Sequence, residues 1–143
     1  MDVDPHERRP SIYASCTTSK AVILLDTSAL IWLAQGHSRV ASIVQRGQRL
    51  YVSPASLLEM QLLVEAGRLR LRVPNLHALA SDAQCAIDDP SSADWFEQAW
   101  TLSWTRDPFD RLIVAHARLR RWRLATADVH VLEHLSATEC VAL

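Results

Sequence analysis

An acid placed where a core residue belongs constrains this chain more than any other feature. Thr105-Arg106-Asp107-Pro108-Phe109-Asp110-Arg111-Leu112-Ile113-Val114-Ala115-His116-Ala117 reads as the start of a helix. Asp107 is a good N-cap, Pro108 suits the first helical position, and Asp110 can reach back as in a capping box. Asp110 also has Ile113, Val114 and Ala117 at +3, +4 and +7, so its carboxylate continues the apolar face. An ionised carboxylate facing a core is costly unless it is paired or binds a metal. The chain must therefore supply something opposite Asp110.

Of the 16 acidic residues, four carry apolar side chains at all three of those offsets. They are Asp26 (Ala29, Leu30, Leu33), Glu59 (Leu62, Leu63, Ala66), Asp110, and Asp128 (Val131, Leu132, Leu135). The reading along the chain places them in elements. Residues 21–25 form a short apolar, β-branched run, as in a strand buried on both faces, and it ends at Asp26. A helix follows to Gly36, then a second over 37–46 ending at Gly47. Residues 50–52 read as a strand, and Ser53-Pro54 opens a helix that runs to Gly67 and carries Glu59. Residues 68–75 are basic, a turn or an edge strand, and 76–86 are a helix or a helix plus a short strand. After a break at 88–92, a helix over 93–104 puts Phe96, Trp100 and Trp104 on one stripe, read as core. The Asp107 helix runs to about Arg121, 124–127 is a strand ending at Asp128, 129–135 is a short helix, and 138–141 is a last strand. This alternation predicts an α/β domain with a mainly parallel sheet, in which Asp26 and Asp128 lie at the carboxyl edge, where such sheets bind ligands.

With 143 residues, 49% hydrophobic and 22% charged, the chain suits one soluble globular domain. Residues 1–20 read as a flexible leader and 21–143 as the domain. No apolar run approaches the roughly 20 residues needed to cross a bilayer, so the expectation is a cytoplasmic protein with no membrane association. Cys16, Cys85 and Cys140 lack a CxxC spacing and read as reduced thiols. Of 15 basic residues, Lys20 is the sole lysine. That removes P-loop kinases, Schiff-base enzymes and phosphoacceptor receivers, all of which need a lysine in the site. A phosphatase of the haloacid-dehalogenase type needs a second Asp where Ser28 stands.

Four close carboxylates repel one another and raise each other's pKa values unless a cation lies between them. All-oxygen ligands select a hard ion such as Mg²⁺ or Mn²⁺, and the chemistry that uses such a site is phosphodiester hydrolysis. The hydroxyls of Thr27, Ser28 and Thr126 stand beside the strand-end acids as auxiliary groups.

These elements together resemble the PIN-domain ribonucleases, and most closely the VapC-type toxins of bacterial toxin–antitoxin pairs. The matching segments are Leu25-Asp26-Thr27-Ser28-Ala29, Ser53-Pro54-Ala55-Ser56-Leu57-Leu58-Glu59, Arg106-Asp107-Pro108-Phe109-Asp110-Arg111-Leu112-Ile113 and Ala125-Thr126-Ala127-Asp128. The resemblance implies a three-layer α/β/α fold and Asp26, Glu59, Asp110 and Asp128 as the catalytic metal site, with Asp107 auxiliary. It also implies a Mg²⁺- or Mn²⁺-dependent endoribonuclease, commonly homodimeric, held inactive by a cognate antitoxin. Arg68, Arg111 and Arg118 are candidates for contact with the RNA substrate. Two positions depart from the family's pattern: Thr105 stands where relatives often have histidine, and Leu63-Val64-Glu65 where a lysine is often found.

Competing readings are simpler. Asp26 and Asp128 taken singly are helix caps, and the arginine clusters are solvated faces. His116 reads as packed or exposed rather than catalytic. His130 and His134, one helical turn apart, have metal-ligand spacing but no evident third nitrogen or sulfur ligand. The alternative function is a catalytically silent PIN-like module that binds RNA or protein.

Overall fold

The computed structural model describes residues 21–143, so the leader over 1–20, with Cys16 and Lys20, lies outside the described residues. Among these residues a five-stranded parallel sheet has the order β3-β2-β1-β4-β5. Its strands are β1 (Val22–Leu25), β2 (Arg49–Val52), β3 (Ala86–Ile87), β4 (Arg123–Thr126) and β5 (Cys140–Ala142). The helices are α1 (Thr27–Gln35), α2 (Ala41–Gln45), α3 (Pro54–Glu65), α4 (Leu76–Asp82), α5 (Ser92–Trp100), α6 (Pro108–Arg120) and α7 (Val129–His134).

Alternation along the strands builds two cores. Leu24 and Leu124 face a cluster made with α5, α6 and α7. Ile23, Leu25, Val52 and Ala125 face the other, made with α1 to α4. Because both faces of β1 and β4 are covered, β1 reads as a continuous apolar run and β4 buries Leu124, Ala125 and Thr126 in succession, and the α/β/α layering follows. The strand order reverses between β1 and β4, which makes their carboxyl ends the topological switch point of the sheet.

Several boundaries differ from the sequence reading. The helix expected over 37–46 is a 3₁₀ turn (Ser38–Val40) followed by the five-residue α2. Residues 68–75 form no strand. The strand at 124–127 starts and ends one residue earlier, and α5 stops at Trp100, with Leu102 buried in the turn beyond it. The expected core stripe holds only for Trp104, which is partly buried against the core: Phe96 and Trp100 are 49% and 72% exposed, and the buried face of α5 is Trp95 and Ala99. Trp95 has a polar reason to be inside, since its indole N–H donates to the Leu112 carbonyl of α6 at 2.7 Å. Cys85 and Cys140 are buried free thiols, as expected.

Candidate active site

Each candidate acid is placed by its own element. Asp26 follows β1, where its N–H donates to the Ala125 carbonyl of β4 (3.1 Å), and its carboxylate accepts from the Ala29 N–H of α1 (2.7 Å). Asp128 follows β4 and caps α7, accepting from His130 N–H (2.9 Å) and Val131 N–H (3.2 Å). The capping reading of these two residues is thus correct, and it also aims both carboxylates at the switch point. Asp107 caps α6, accepting from Phe109 N–H at 2.8 Å and Asp110 N–H at 3.3 Å. The reciprocal half of a capping box is missing, because the Asp107 N–H donates to Thr105 Oγ1 instead (3.2 Å). That leaves the Asp110 side chain free to face the site. Glu59 lies mid-way along α3, which packs on both α1 and α6.

The electrostatics bring these acids into one field. Burial raises the Asp26 pKa; the hydroxyl of Thr126 and the Ala29 N–H oppose the shift, and Asp128 adds to it. Glu59 is pushed up to about 7, first by burial and then by Asp107, Asp110 and Asp26. Asp110 is pushed up to about 6 by burial, then by Asp107, Asp128 and Asp26, with His130 opposing. Groups from four separate segments therefore feel one another, and each of the three shifts disfavours the negative charge.

The hydroxyls complete the surround. Thr126 is fully buried and accepts the Asp128 N–H at 3.1 Å, so it bridges the two strand-end acids. Thr27 lies against Glu59 and favours its charged form, yet Thr27 Oγ1 is buried without completing a hydrogen bond, and so is Ser56 Oγ, one turn before Glu59 on α3. Ser28 is exposed at the rim. Oxygen-only donors, raised carboxyls and orphaned hydroxyls fit a hard divalent cation. Among the described residues, no three of these carboxylates bring ligand oxygens within 4.8 Å of one another. An ion that takes one or two carboxylates directly and keeps its waters fits that spacing better than an all-protein cage.

The arginines are less concentrated. Arg111 is half-buried, and its Nε donates to the Thr105 carbonyl at 2.7 Å, closing the turn that presents Asp107. Arg118 is two turns further along α6 and pairs with Glu139 at 3.1 Å. Arg68 is exposed beyond α3, in the wall of an open groove of about 950 Å³ lined by the end of α1 away from Asp26.

Two histidines have partners that the sequence did not show, although the packed reading of His116 holds. His116 is fully buried, and its Nε2–H donates to Asp88 Oδ2 at 2.6 Å while Arg120 Nε donates to the same carboxylate at 2.8 Å. Only the helical register of His116 on the buried face of α6 hinted at this. The second is His130, which lies close enough to Asp110 to bear on its carboxyl; its position two residues after Asp128 was the available signal.

A three-layer α/β/α sheet with acids converging at its switch point defines a class of small, acid-centred α/β domains. Within that class the chain belongs to the PIN domain family, whose model matches residues 23–136. It is 30% identical to Ribonuclease VapC22 of Mycobacterium tuberculosis, over 78% of this chain and 91% of that protein. Its fold is similar to a chain of a toxin–antitoxin complex from Klebsiella pneumoniae, with a TM-score of 0.60 at 18% identity, covering 84% of this chain and 96% of the other. It is equally similar to a chain of VapBC2 from Rickettsia felis bound to a promoter DNA fragment, with a TM-score of 0.60 at 14% identity, covering 85% and 98%.

Proposed function

We infer that this protein is a divalent-metal-dependent endoribonuclease and the toxin of a toxin–antitoxin pair, with Asp26, Glu59, Asp110 and Asp128 as its metal site. The observation that carries the reading is the shared field of acids from four segments, whose charges have no cationic side chain among them strong enough to return Glu59 and Asp110 to ordinary values. Kinship with a VapC ribonuclease gives that field its chemistry. A bound Mg²⁺ or Mn²⁺ supplies activation of the attacking water and neutralisation of charge on the scissile phosphate.

The chain's own residues do the positioning. Thr126 fixes Asp26 relative to Asp128, and the α1 N-terminus holds the Asp26 carboxylate in place. Asp107 fixes the first turn of α6 and so the direction of Asp110. In the metal-free protein burial and the neighbouring acids push Glu59 up to about 7, so Glu59 gives up its proton as a cation takes its place among the acids. Arg111, Arg118 and Arg68 are the proposed phosphate contacts. A protein partner is supported by apolar side chains left in water, Phe96 and Trp100 on α5 and Leu58 and Leu62 on α3; we assign these to a homodimer and an antitoxin. No helix among the described residues is long and apolar enough to cross a membrane, and the proposed location is the cytoplasm, where RNA is.

The test is cleavage of labelled structured and unstructured RNAs with Mg²⁺ or Mn²⁺, and with EDTA. Wild type cuts only with metal, and Asp26→Asn and Asp110→Asn each lose at least about 100-fold. RNA binding without cutting, unchanged in Asp26→Asn, would make the protein a silent binding module instead.

A further inference from the structure

Helix α7 carries a second group of ligand-type side chains. His130, Glu133 and His134 have i, i+3, i+4 spacing and share one exposed face. Each offers a ligand atom, and the three atoms lie within 4.8 Å of one another. The spacing of the histidines alone gave no third ligand; the fold supplies a carboxylate between them.

The ring protons are already assigned by the surroundings. His130 Nε2 lies 3.1 Å from the Trp104 carbonyl, and His134 Nδ1 lies 2.8 Å from the His130 carbonyl. A carbonyl can only accept, so those two nitrogens carry the protons. In the neutral rings, the form a metal binds, the lone pairs are on His130 Nδ1 and His134 Nε2. Metal-binding histidines are commonly oriented this way, with the second nitrogen donating to a carbonyl or carboxylate. The rings are also held by packing: Trp104 stacks on His134 with centroids 4.5 Å apart and planes within 6°, and meets His130 edge-on at 5.3 Å. Two imidazoles and one carboxylate with room for solvent ligands make a borderline donor set, suited to Zn²⁺ and its neighbours rather than to Mg²⁺.

We propose that His130, Glu133 and His134 form a binding site for a zinc-type divalent ion, distinct from the carboxylate site. The ion would hold three side chains of α7, which Asp128 caps, beside the Trp104 turn that leads into Asp107. The site would thus border the acid cluster while selecting a different metal.

The test uses tag-free full-length protein stripped with EDTA, desalted, and titrated calorimetrically with Zn²⁺ in excess Mg²⁺. One Zn²⁺ binds per chain, and affinity falls about tenfold or more in Glu133→Gln and in His134→Phe. His134→Phe keeps an aromatic ring against Trp104, so an unchanged melting curve separates loss of a ligand from loss of the fold. Asp26→Asn, which disarms the carboxylate site, binds Zn²⁺ as wild type does. Absence of saturable micromolar binding, binding unchanged in both α7 variants, or binding lost in Asp26→Asn would each overturn the assignment.

Discussion

Glu59 carries its charge at a cost, set first by burial and then by the neighbouring acids. Its pKa rises from 4.5 to about 7, so between those values the folded protein holds a proton that the unfolded chain has released. The folded state binds more protons, and stability of the metal-free protein therefore falls as pH rises from about 4.5 to about 7. Glu59→Gln removes that penalty. Urea unfolding at pH 8 in EDTA is expected to show the variant more stable by on the order of 1 kcal/mol, the shift being discounted for a half-exposed side chain. RNA cleavage is expected to be lost in the same variant; a variant that is no more stable than wild type would mean that neither burial nor the neighbouring acids penalise the Glu59 charge. The sequence pattern that singled out Glu59 matches the structure only in part. The apolar +3/+4/+7 rule holds for Asp110, whose Ile113, Val114 and Ala117 are all buried, but Leu62, counted in favour of Glu59, is 45% exposed. Spacing reports a helical face and cannot report which face meets the sheet.

Among the elements, α6 does most to shape the site, and it is anchored at both ends by different chemistry. Its start depends on Asp107, and Asp107→Ala is expected to cost about 1 kcal/mol as a lost cap. Its far half is tied to the end of β3 by Asp88, which accepts from His116 and Arg120. Burial alone would raise the Asp88 pKa, but those two partners outweigh it and hold it down. Burial keeps the His116 pKa low against the pull of Asp88, and His116 Nδ1, buried with no partner, fits the neutral ring. Asp88→Ala is expected to cost about 2 kcal/mol in urea unfolding at pH 7, more than Asp107→Ala, although Asp88 lies outside the acid cluster. The reverse order would place the anchor of α6 at its cap. Local signals made the N-terminal anchor legible: Asp-Pro and the hydrophobic period are read within a single turn. The Asp88 tie was not legible, because 28 residues separate it from His116 and no local pattern links them. The same reason hid the exposed stripe on α5, where Trp95 turns inward to donate its indole N–H to the distant Leu112 carbonyl and Phe96 is left in water.

At the scale of the molecule, strand order turns scattered acids into a site. Asp26 and Asp128 are about 100 residues apart in sequence, yet they follow adjacent strands β1 and β4 at the point where the order reverses. The alternation of strands and helices announced a parallel sheet, and the acids at strand ends announced its working edge; which strands are neighbours is set by crossovers that the sequence does not print. The metal site proposed at that edge ties ion binding to pH and to stability. An ion that binds only the folded state stabilises it by about 2.7 kcal/mol at 100 times its dissociation constant. It competes with protons at Asp110 and Glu59, which titrate at about 6 and about 7. Saturating Mn²⁺ at pH 7.5 is therefore expected to raise the thermal midpoint by several degrees, since each kcal/mol is worth roughly 2–8 °C in domains of this size range. At pH 5.5 the same Mn²⁺ concentration should do much less, because both acids then hold their protons. Differential scanning fluorimetry at the two pH values, with Asp110→Asn alongside, separates this linkage from non-specific salt effects. Equal shifts at both pH values, or an undiminished shift in the variant, would place the bound ion away from these carboxylates.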